Sequence, residues 1–401
     1  MDLFLQTGSR MMSHNSELIA KWGSGTVILS PKNMTIEQMQ AHAEKIAKKN
    51  GSVIIDPQFY IPRTKNERII NHPYWPQNYQ TGVFFSGTGI KKLMDDLISL
   101  YIEPMRASVF IIPTLFLKDI EDDWNRCTET TINELYNRAL EIPKYCTLCI
   151  SNTLLQDETK IHDLLERITQ YPVDGFYIIP VHPQNMYLVD DVTWLINLMD
   201  FCAGIKLTGK KIILGYSTHQ LLLFALAKVD AICTGIWLKT RIFPLGDFDD
   251  SDDQNQGRKK TWYYCPQALT EYQIGFLDIA HRLGILDLLK TSENFESQYA
   301  DILFSGAQPS TVKFSEHDAF QHYLHCLSMQ CKDVSKKTYD ETLKYLRIVF
   351  ETALEITSIC RSKGVIGKHR DFSNVAEINI SLLDAFDSLR GMIYRHRWDS
   401  L

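Results

Sequence analysis

An aspartate that directly follows an apolar run is the residue of this sequence best suited to acid–base or nucleophilic chemistry. Asp56 comes after Ser52–Ile55 (SVII), within the segment IDPQFY. A carboxyl group at the end of a buried strand can have a raised pKa and act as a base or a nucleophile. An aspartate before a proline can equally cap a loop by hydrogen bonds to backbone amides. Both interpretations carry similar weight, and Gln58 and Tyr60 are predicted to contact a ligand at the same strand end.

A second group of candidate residues belongs to the segment KKIILGYSTHQLLLFALAKVDAICTGIWLKTRIF. Lys211–Leu214 is typical of a parallel strand buried on both faces, and Val229–Cys233 is predicted as the next strand. Between them Gly215 predicts a turn before a helix that begins near His219. His219 in the first turn of that helix could bind a phosphate, or it could simply form part of the turn.

The end of this segment combines aromatic and basic side chains. Trp237, Lys239 and Arg241 would suit ring stacking and phosphate contact, with Tyr216 on the preceding turn. The alternative, which is about as strong, is a tryptophan that covers the mouth of a barrel while the charges lie in solvent. A similar run, Arg258–Tyr264, could bind nucleic acid, although a solvated loop that enters a core segment explains it more simply.

Metal and cofactor motifs are weak in this sequence. Cys146 and Cys149 have the CxxC spacing, but Cys149 falls inside an apolar run and no second pair matches it. Walker, GxGxxG and GxSxG motifs are absent from the sequence. We therefore expect no metal site and no bound cofactor.

Composition limits the class of protein. The 401 residues are 45% hydrophobic and 22% charged, which is typical of a globular protein with one large domain and an accessory one. A net charge of −6 provides no general attraction to nucleic acid, although a local basic patch is compatible with it. Nine scattered cysteines and the lack of an apolar run of about 18 residues predict a cytoplasmic protein without membrane contact.

Eight apolar runs alternate with helical patterns, mostly 25 to 35 residues apart. The pattern predicts a closed (β/α)₈ barrel, an α/β fold of the TIM type, over residues 1–290. A doubly wound open sheet is the alternative, because periodicity does not show closure. The predicted strands are Thr26–Leu29, Ser52–Ile55, Val83–Phe85, Ser108–Ile112, Thr147–Ile150, Gly175–Ile179, Lys211–Leu214 and Val229–Cys233.

The remainder of the chain is predicted to be helical. A polar segment, 247–260, is interpreted as an exposed loop within the barrel domain. From Cys265 onward we expect helices only, with Gln267–Leu289 as a barrel helix and Ser381–Tyr394 as the last helix. Apolar residues from Leu343 to Cys360 recur at three-four spacing, which indicates a packed helix. The α-helical region 291–401 could be a docking surface for a protein partner.

Two segments resemble the tRNA-guanine transglycosylase superfamily, which includes relatives that insert 7-deazaguanines into DNA. Leu214–Arg241 is similar to the family's stretch in which a glycine turn, a helix and a buried strand precede the nucleophile and a Thr-Arg pair. Asp56 in IDPQFY resembles the family's early aspartate, which contacts the base. The resemblance implies a (β/α)₈ barrel that exchanges a base through a covalent glycosyl-aspartate. This sequence departs from the family at its nucleophile, where Cys233 or Thr234 stands, in the Gly-Gly that follows the early aspartate, where Gln58 stands, and in the missing zinc motif.

Three functional hypotheses follow. In the first, a barrel glycosyl transferase or hydrolase acts on a nucleoside or nucleic-acid base, with Asp56 as acid, base or nucleophile. In the second, the barrel has lost its nucleophile and binds nucleic acid or a ligand, as a scaffold that docks a partner through its C-terminal helices. In the third, the barrel processes a small phosphorylated metabolite at the turn Gly215–His219.

Overall fold

The chain folds into a closed barrel of eight parallel strands, which confirms the predicted (β/α)₈ architecture. The computed structural model describes residues 1–249 and 260–401. The barrel closes where β1 pairs with β2 on one side and with β8 on the other, with Leu5 opposite both Val27 and Thr234. The strands are β1 Asp2–Gln6, β2 Gly25–Leu29, β3 Gly51–Ile55, β4 Phe110–Ile112, β5 Lys144–Ile150, β6 Gly175–Pro180, β7 Lys211–Leu214 and β8 Ala231–Thr234.

Helices cover the outside of the barrel. Their apolar faces pack against strands that are themselves buried on both faces, which explains the continuous apolar runs of the sequence. The longer helices of this layer are α1 Met12–Trp22, α2 Ile36–Ala47, α3 Gly89–Leu97, α4 Asp122–Tyr136, α5 Glu158–Thr169 and α6 Val192–Leu207. Between β7 and β8 the chain forms a 3₁₀ helix, His219–Ala225, so the predicted helical connection is present in a tighter form.

The prediction of Val83–Phe85 as a strand was wrong. These residues lie in a short helix, Thr81–Ser86, and Phe84 stacks on Phe59 with ring centroids 5.6 Å apart. The strand pairing passes over this segment, because Ile55 of β3 is already paired with Phe110 of β4. The count of eight is completed by the N-terminal strand β1, which the sequence analysis did not recognise.

The prediction of helices alone after Cys265 was also wrong. Trp262–Cys265 (β9) and Thr270–Gln273 (β10) form an antiparallel ribbon, and only then does helix α7, Ile274–Arg282, begin. Tyr263 and Tyr272 of this ribbon lie in a second apolar cluster, whereas Tyr264 packs into the barrel core. A single helix over Gln267–Leu289 is therefore excluded.

Four helices end the chain: α8 Glu316–Val334, α9 Tyr339–Ser362, α10 Ala376–Phe386 and α11 Met392–Arg397. Helix α9 confirms the apolar stripe predicted from Leu343 to Cys360. A π-helical turn, Asp387–Gly391, joins α10 to α11, so the last predicted helix is confirmed as a helical segment. Helix α8 contributes Tyr323 and Leu324 to the same apolar core as the barrel.

The polar segment 247–260 falls largely outside the described residues. Its first residues belong to a short helix, Gly246–Asp249, and residues 250–259 are not described. Arg258 and Lys259 of the second basic run therefore also lie outside the described residues. In the described part of the chain, no helix has both the length and the apolar character required to cross a bilayer. The division at residue 290 stays a prediction.

Candidate functional site at the barrel mouth

A cleft of about 260 Å³ opens at the carboxyl ends of the barrel strands. This is the end of a (β/α)₈ barrel at which loops from several strands meet and form active sites. The residues after β1, β2, β3, β7 and β8 all contribute to its wall. They are Thr7, Gly8, Ser9, Lys32, Asn33, Gln58, Arg68, Tyr216, Trp237, Lys239, Thr240, Pro244, Asp247 and Phe248.

Gln58 and Tyr216 form the polar part of this wall. The Oε1 atom of Gln58 accepts hydrogen bonds from the Ser30 hydroxyl (3.0 Å) and the Lys32 backbone N–H (2.9 Å). Two donors on one side fix the orientation of the amide, so its Nε2 donates to the Tyr216 hydroxyl at 3.2 Å. The cleft therefore presents a fixed amide N–H group beside a phenol.

Both residues have left-handed backbone conformations, with φ of +54° at Gln58 and +51° at Tyr216. Such conformations are unfavourable for residues other than glycine, and they concentrate at binding and catalytic sites. Gly215, next to Tyr216, is required for a different reason. A Cβ atom there would lie 2.8 Å from the Tyr177 hydroxyl, so only glycine allows Tyr177 to reach the barrel interior at this level.

Asp56 lies behind Gln58 and is completely buried. The Tyr60 hydroxyl is 2.6 Å from each carboxylate oxygen, and the Gln58 backbone N–H donates to Oδ1 at 3.0 Å. The Tyr177 hydroxyl is 3.3 Å from Oδ2. The loop-capping hydrogen bond that the sequence suggested is therefore present, and it is part of a larger set of donors.

Burial raises the pKa of Asp56 from its ordinary value of 3.8 to about 6. The hydrogen bonds from Tyr60, Gln58 and Tyr177 act in the opposite direction but do not cancel the cost of removing the charge from water. The donors are all uncharged. Asp56 consequently has the pKa of a group that can exchange a proton near neutral pH.

Among the described residues of the cleft wall, positive charges outnumber negative charges. Lys32, Arg68 and Lys239 contribute three cations, and Asp247 is the carboxylate among the wall residues within 1–249 and 260–401. Both lysines bond to it, with Nζ–Oδ2 distances of 3.2 Å from Lys32 and 2.6 Å from Lys239. The described side chains of the wall therefore carry a net positive charge, which favours an anion.

Three aromatic side chains complete the wall. The Trp237 indole N–H donates to the Ser9 carbonyl at 2.7 Å and its ring meets Phe320 edge-on. Tyr216 packs edge-on against Phe243, which stacks on Phe248. These contacts hold the rings in place, with Tyr216 and Phe248 almost fully buried in the wall and Trp237 partly buried.

A second cleft, of about 470 Å³, adjoins the first and shares Trp237 and Lys239 with it. Arg241 lies on its wall and is only 2% exposed. Its Nη1 bonds to Glu271 at 3.0 Å, and Arg370 Nη1 bonds to the same carboxylate at 2.8 Å. The two guanidinium groups lower the pKa of Glu271 to about 2 against the effect of burial.

His219 lies deeper than the sequence suggested. It is fully buried, with ring centroids 5.8 Å from Tyr187 and 5.1 Å from Tyr264. Burial lowers its pKa to about 4, so the imidazole is neutral at neutral pH. The position is in the apolar layer beneath the second cleft, and its predicted contact with a ligand stays a prediction.

The structure thus divides the predicted residues into three groups. Gln58, Tyr216, Trp237 and Lys239 line the first cleft, while Asp56 and Tyr60 lie directly behind it. Arg241 belongs to the second cleft, and His219 is buried near it. The sequence analysis missed Lys32, Arg68, Asp247, Glu271 and Arg370. Lys32 follows the second strand by three residues, a signal that would have found it, whereas Glu271 and Arg370 carry no comparable local signal.

In residues 1–249 and 260–401, no group of three or more His, Cys, Asp or Glu side chains is arranged to hold a metal ion. No protein-family model matches the chain. A search of curated proteins also returned no similar sequence. The function must therefore be argued from the geometry of the two clefts.

Proposed function

We propose that the barrel mouth binds a nucleotide unit, either free or within a nucleic acid, and recognises its base. The observation that carries this proposal is the combination, in a single cleft, of a fixed amide, aromatic side chains in the wall and more cations than carboxylates among the described residues. Amide N–H groups hydrogen-bond to the edge of a heterocycle, aromatic faces stack on it, and cations hold a phosphate. The cleft volume of about 260 Å³ fits one such unit rather than a larger ligand.

Within this proposal Gln58 reads the base edge. Its Oε1 already accepts two hydrogen bonds, so the group that it offers to a ligand is the Nε2 donor. Tyr216 stands beside it and accepts from that nitrogen. Lys239 and Arg68 then suit the anionic end of the ligand. The strained backbone at Gln58 and Tyr216 supports the assignment, because the fold maintains this arrangement against a cost of about 1–3 kcal/mol per residue.

Base exchange at the N-glycosidic bond is a second candidate, and Asp56 is the observation that favours it. A carboxyl group with a pKa of about 6 can serve as acid or base at neutral pH. Both of its oxygens accept from Tyr60 and the side chain is buried. Nucleophilic attack by an Asp56 oxygen on the sugar carbon would require the Tyr60 hydroxyl to turn away. The described geometry therefore supports base recognition better than base exchange.

Calorimetric titration tests the recognition proposal. The panel contains a nucleoside, the matching nucleoside monophosphate and a sugar phosphate without a base. We expect the monophosphate to bind about tenfold or more tightly than either fragment, because it alone uses both the base and the phosphate contacts. Equal binding of the sugar phosphate would instead indicate the phosphorylated-metabolite hypothesis.

Matched variants locate the site. Lys239→Gln should weaken binding of the monophosphate and leave the nucleoside unaffected, whereas Lys92→Gln should change neither. Lys92 is a suitable control because it is also an exposed lysine paired with one aspartate, on the outer helix α3. Identical behaviour of the two variants would refute the mouth as the binding site.

Incorporation of a radiolabelled free base into oligonucleotides tests base exchange, with wild type beside Asp56→Asn. Exchange by wild type and its loss in the variant, at unchanged nucleotide affinity, would support catalysis by Asp56. If neither protein exchanges the base although both bind the nucleotide with normal affinity, base recognition is the supported function and base exchange is refuted.

A further inference from the structure

The second cleft contains a buried group of charges that do not balance. Arg241, Glu271 and Arg370 are 2%, 3% and 11% exposed. Glu271 accepts from both arginines, so two positive charges share one negative charge. The Tyr187 hydroxyl bonds to both Arg241 and Glu271 and stays uncharged, because burial raises its pKa. His219 is also neutral, because burial lowers its pKa to about 4. The group as a whole carries one positive charge that water barely reaches.

The described residues of the whole second cleft also carry a net positive charge. Its cationic residues are Lys239, Arg241, Lys260 and Arg370, and its acidic residues within the described part of the chain are Glu271 and Glu316. A buried charge without a counter-charge is costly, since burial removes its hydration. The arrangement is therefore most stable when an anion occupies the cleft.

The arginines are held in position for such an anion. The guanidinium carbon of Arg241 lies 3.6 Å from the centre of the Tyr323 ring, and that of Arg370 lies 4.2 Å from the Trp262 ring. Arg241 Nε also donates to the Gly235 carbonyl at 2.8 Å. In both residues Nη1 is the atom that bonds to Glu271, which leaves Nη2 for another acceptor. Planar guanidinium groups fixed in this way match the oxygens of a phosphate.

From this geometry we propose that the second cleft is a binding site for a phosphate-type anion, held by Arg241 and Arg370. Two sources of that anion are possible: a free phosphate, or a second phosphate of the ligand in the barrel mouth. Trp237 and Lys239 line both clefts, so one ligand with two phosphates can reach from one to the other. This spanning arrangement rests on the function proposed for the mouth, whereas the anion site itself does not.

Thermal unfolding in inorganic phosphate, compared with sodium chloride of equal ionic strength, tests the site. We expect phosphate to raise the midpoint of unfolding of the wild type, because a ligand that binds only the folded state stabilises it. Arg370→Gln should abolish this increase. In phosphate-free buffer the midpoint of Arg370→Gln should equal or exceed that of the wild type. The substitution removes the uncompensated charge and retains the Arg241–Glu271 pair.

Two variants serve as controls. Arg395→Gln removes an arginine that bonds to two carboxylates, Asp340 and Asp387, and should lower the midpoint equally in both buffers. Arg68→Gln removes a cation of the mouth and should retain the response to phosphate. The proposal is overturned if wild type shows no phosphate-specific shift, or if Arg370→Gln behaves like Arg395→Gln.

Titration with mono- and diphosphorylated ligands separates the two sources. If one ligand spans both clefts, a dinucleotide with a terminal phosphate binds about tenfold more tightly than a mononucleotide. Arg370→Gln then removes that advantage, whereas Arg68→Gln weakens both ligands. If the anion is free phosphate, it binds alongside a mononucleotide and only Arg370→Gln affects it. A phosphate response that depends on Arg68 and not on Arg370 would refute the second site while supporting the mouth.

Discussion

Asp56 behind the barrel mouth and Glu271 beneath the second cleft are both buried carboxylates, yet their pKa values move in opposite directions. Asp56 accepts hydrogen bonds from uncharged groups, and burial raises its pKa to about 6. Glu271 bonds to two arginines, which lower its pKa to about 2. Burial is similar in the two regions, so the charge of the neighbours decides the outcome.

The molecule therefore contains two kinds of polar site. The floor of the barrel mouth is a neutral network in which a proton can be gained or lost near neutral pH. The second cleft is a charged network that stays ionised and is short of one negative charge. The first suits recognition or proton transfer, and the second suits the binding of an anion.

The largest expected effect is that of Glu271→Gln. The substitution leaves two buried arginines without a counter-charge, which should lower the free energy of unfolding by about 3–5 kcal/mol. Urea denaturation at neutral pH measures this loss. Asp384→Asn, which breaks the exposed pair with Arg347, should cost less than about 1 kcal/mol. Similar losses in both variants would show that Glu271 is not the centre of a charged network.

The pH dependence should have opposite signs at the two carboxylates. A raised folded-state pKa means that Asp56 binds its proton more tightly in the folded state, so stability relative to Asp56→Asn falls as pH rises from 3.8 to about 6. The total change is about 3 kcal/mol. For Glu271 the stabilisation is fully present above pH 4.5 and is lost as pH falls toward 2.

Unfolding free energies of wild type, Asp56→Asn and Glu271→Gln at a series of pH values measure both slopes. A constant difference between wild type and Asp56→Asn across this range would contradict the raised pKa of Asp56.

Tyr60→Phe should have an intermediate effect. It removes the hydroxyl that bonds to both oxygens of Asp56, so the pKa of Asp56 should rise further and stability should fall by about 1–2 kcal/mol above pH 7. The loss should shrink near pH 5, where Asp56 is protonated. Tyr74→Phe is the matched control, since its buried hydroxyl donates to the neutral Pro57 carbonyl and its loss should not depend on pH. Parallel pH profiles for the two variants would argue against a charged Asp56 at neutral pH.

The smallest effect on stability is expected for Lys239→Gln. This side chain is 60% exposed and its bond to Asp247 is open to water, so the unfolding free energy should change by less than about 1 kcal/mol. Glu271→Gln also changes a single charged residue, but a buried one. The difference between the two losses therefore measures the effect of burial. Urea denaturation beside Lys92→Gln measures it, and a loss above 2 kcal/mol would show that the mouth is as tightly packed as the second cleft.

Much of the barrel was predictable because its signals are local. Seven of the eight strands followed from short apolar runs between polar or helical segments. The strand predicted at Val83–Phe85 was wrong. β-branched and aromatic residues favour strands, but the packing of Phe84 depends on Phe59, a residue 25 positions earlier. Strand β1 was missed because its apolar run is only three residues long, with the polar residues Asp2 and Gln6 at its two ends.

The candidate site was predictable only in part. Gln58, Tyr216, Trp237 and Lys239 stand directly after strands, and parallel strands bring such residues to one end of the barrel. Arg241 looked like an accessible phosphate ligand, and the structure pairs it with Glu271 from a ribbon that the sequence analysis interpreted as helix. Asp56 showed its capping hydrogen bond as expected, but its contact with Tyr177 joins residues 121 positions apart.

The sequence by itself determined the alternation of strands and helices and the positions at which polar residues follow buried runs. These features depend on the hydrophobic period and on neighbours within a few residues. Only the tertiary structure decided which charges meet. Glu271 pairs with arginines 30 residues before it and 99 residues after it, and the pKa values of Glu271 and Asp56 follow from those distant neighbours. Electrostatic free energy depends on distance in space and on exclusion of water, and neither quantity is encoded in local spacing.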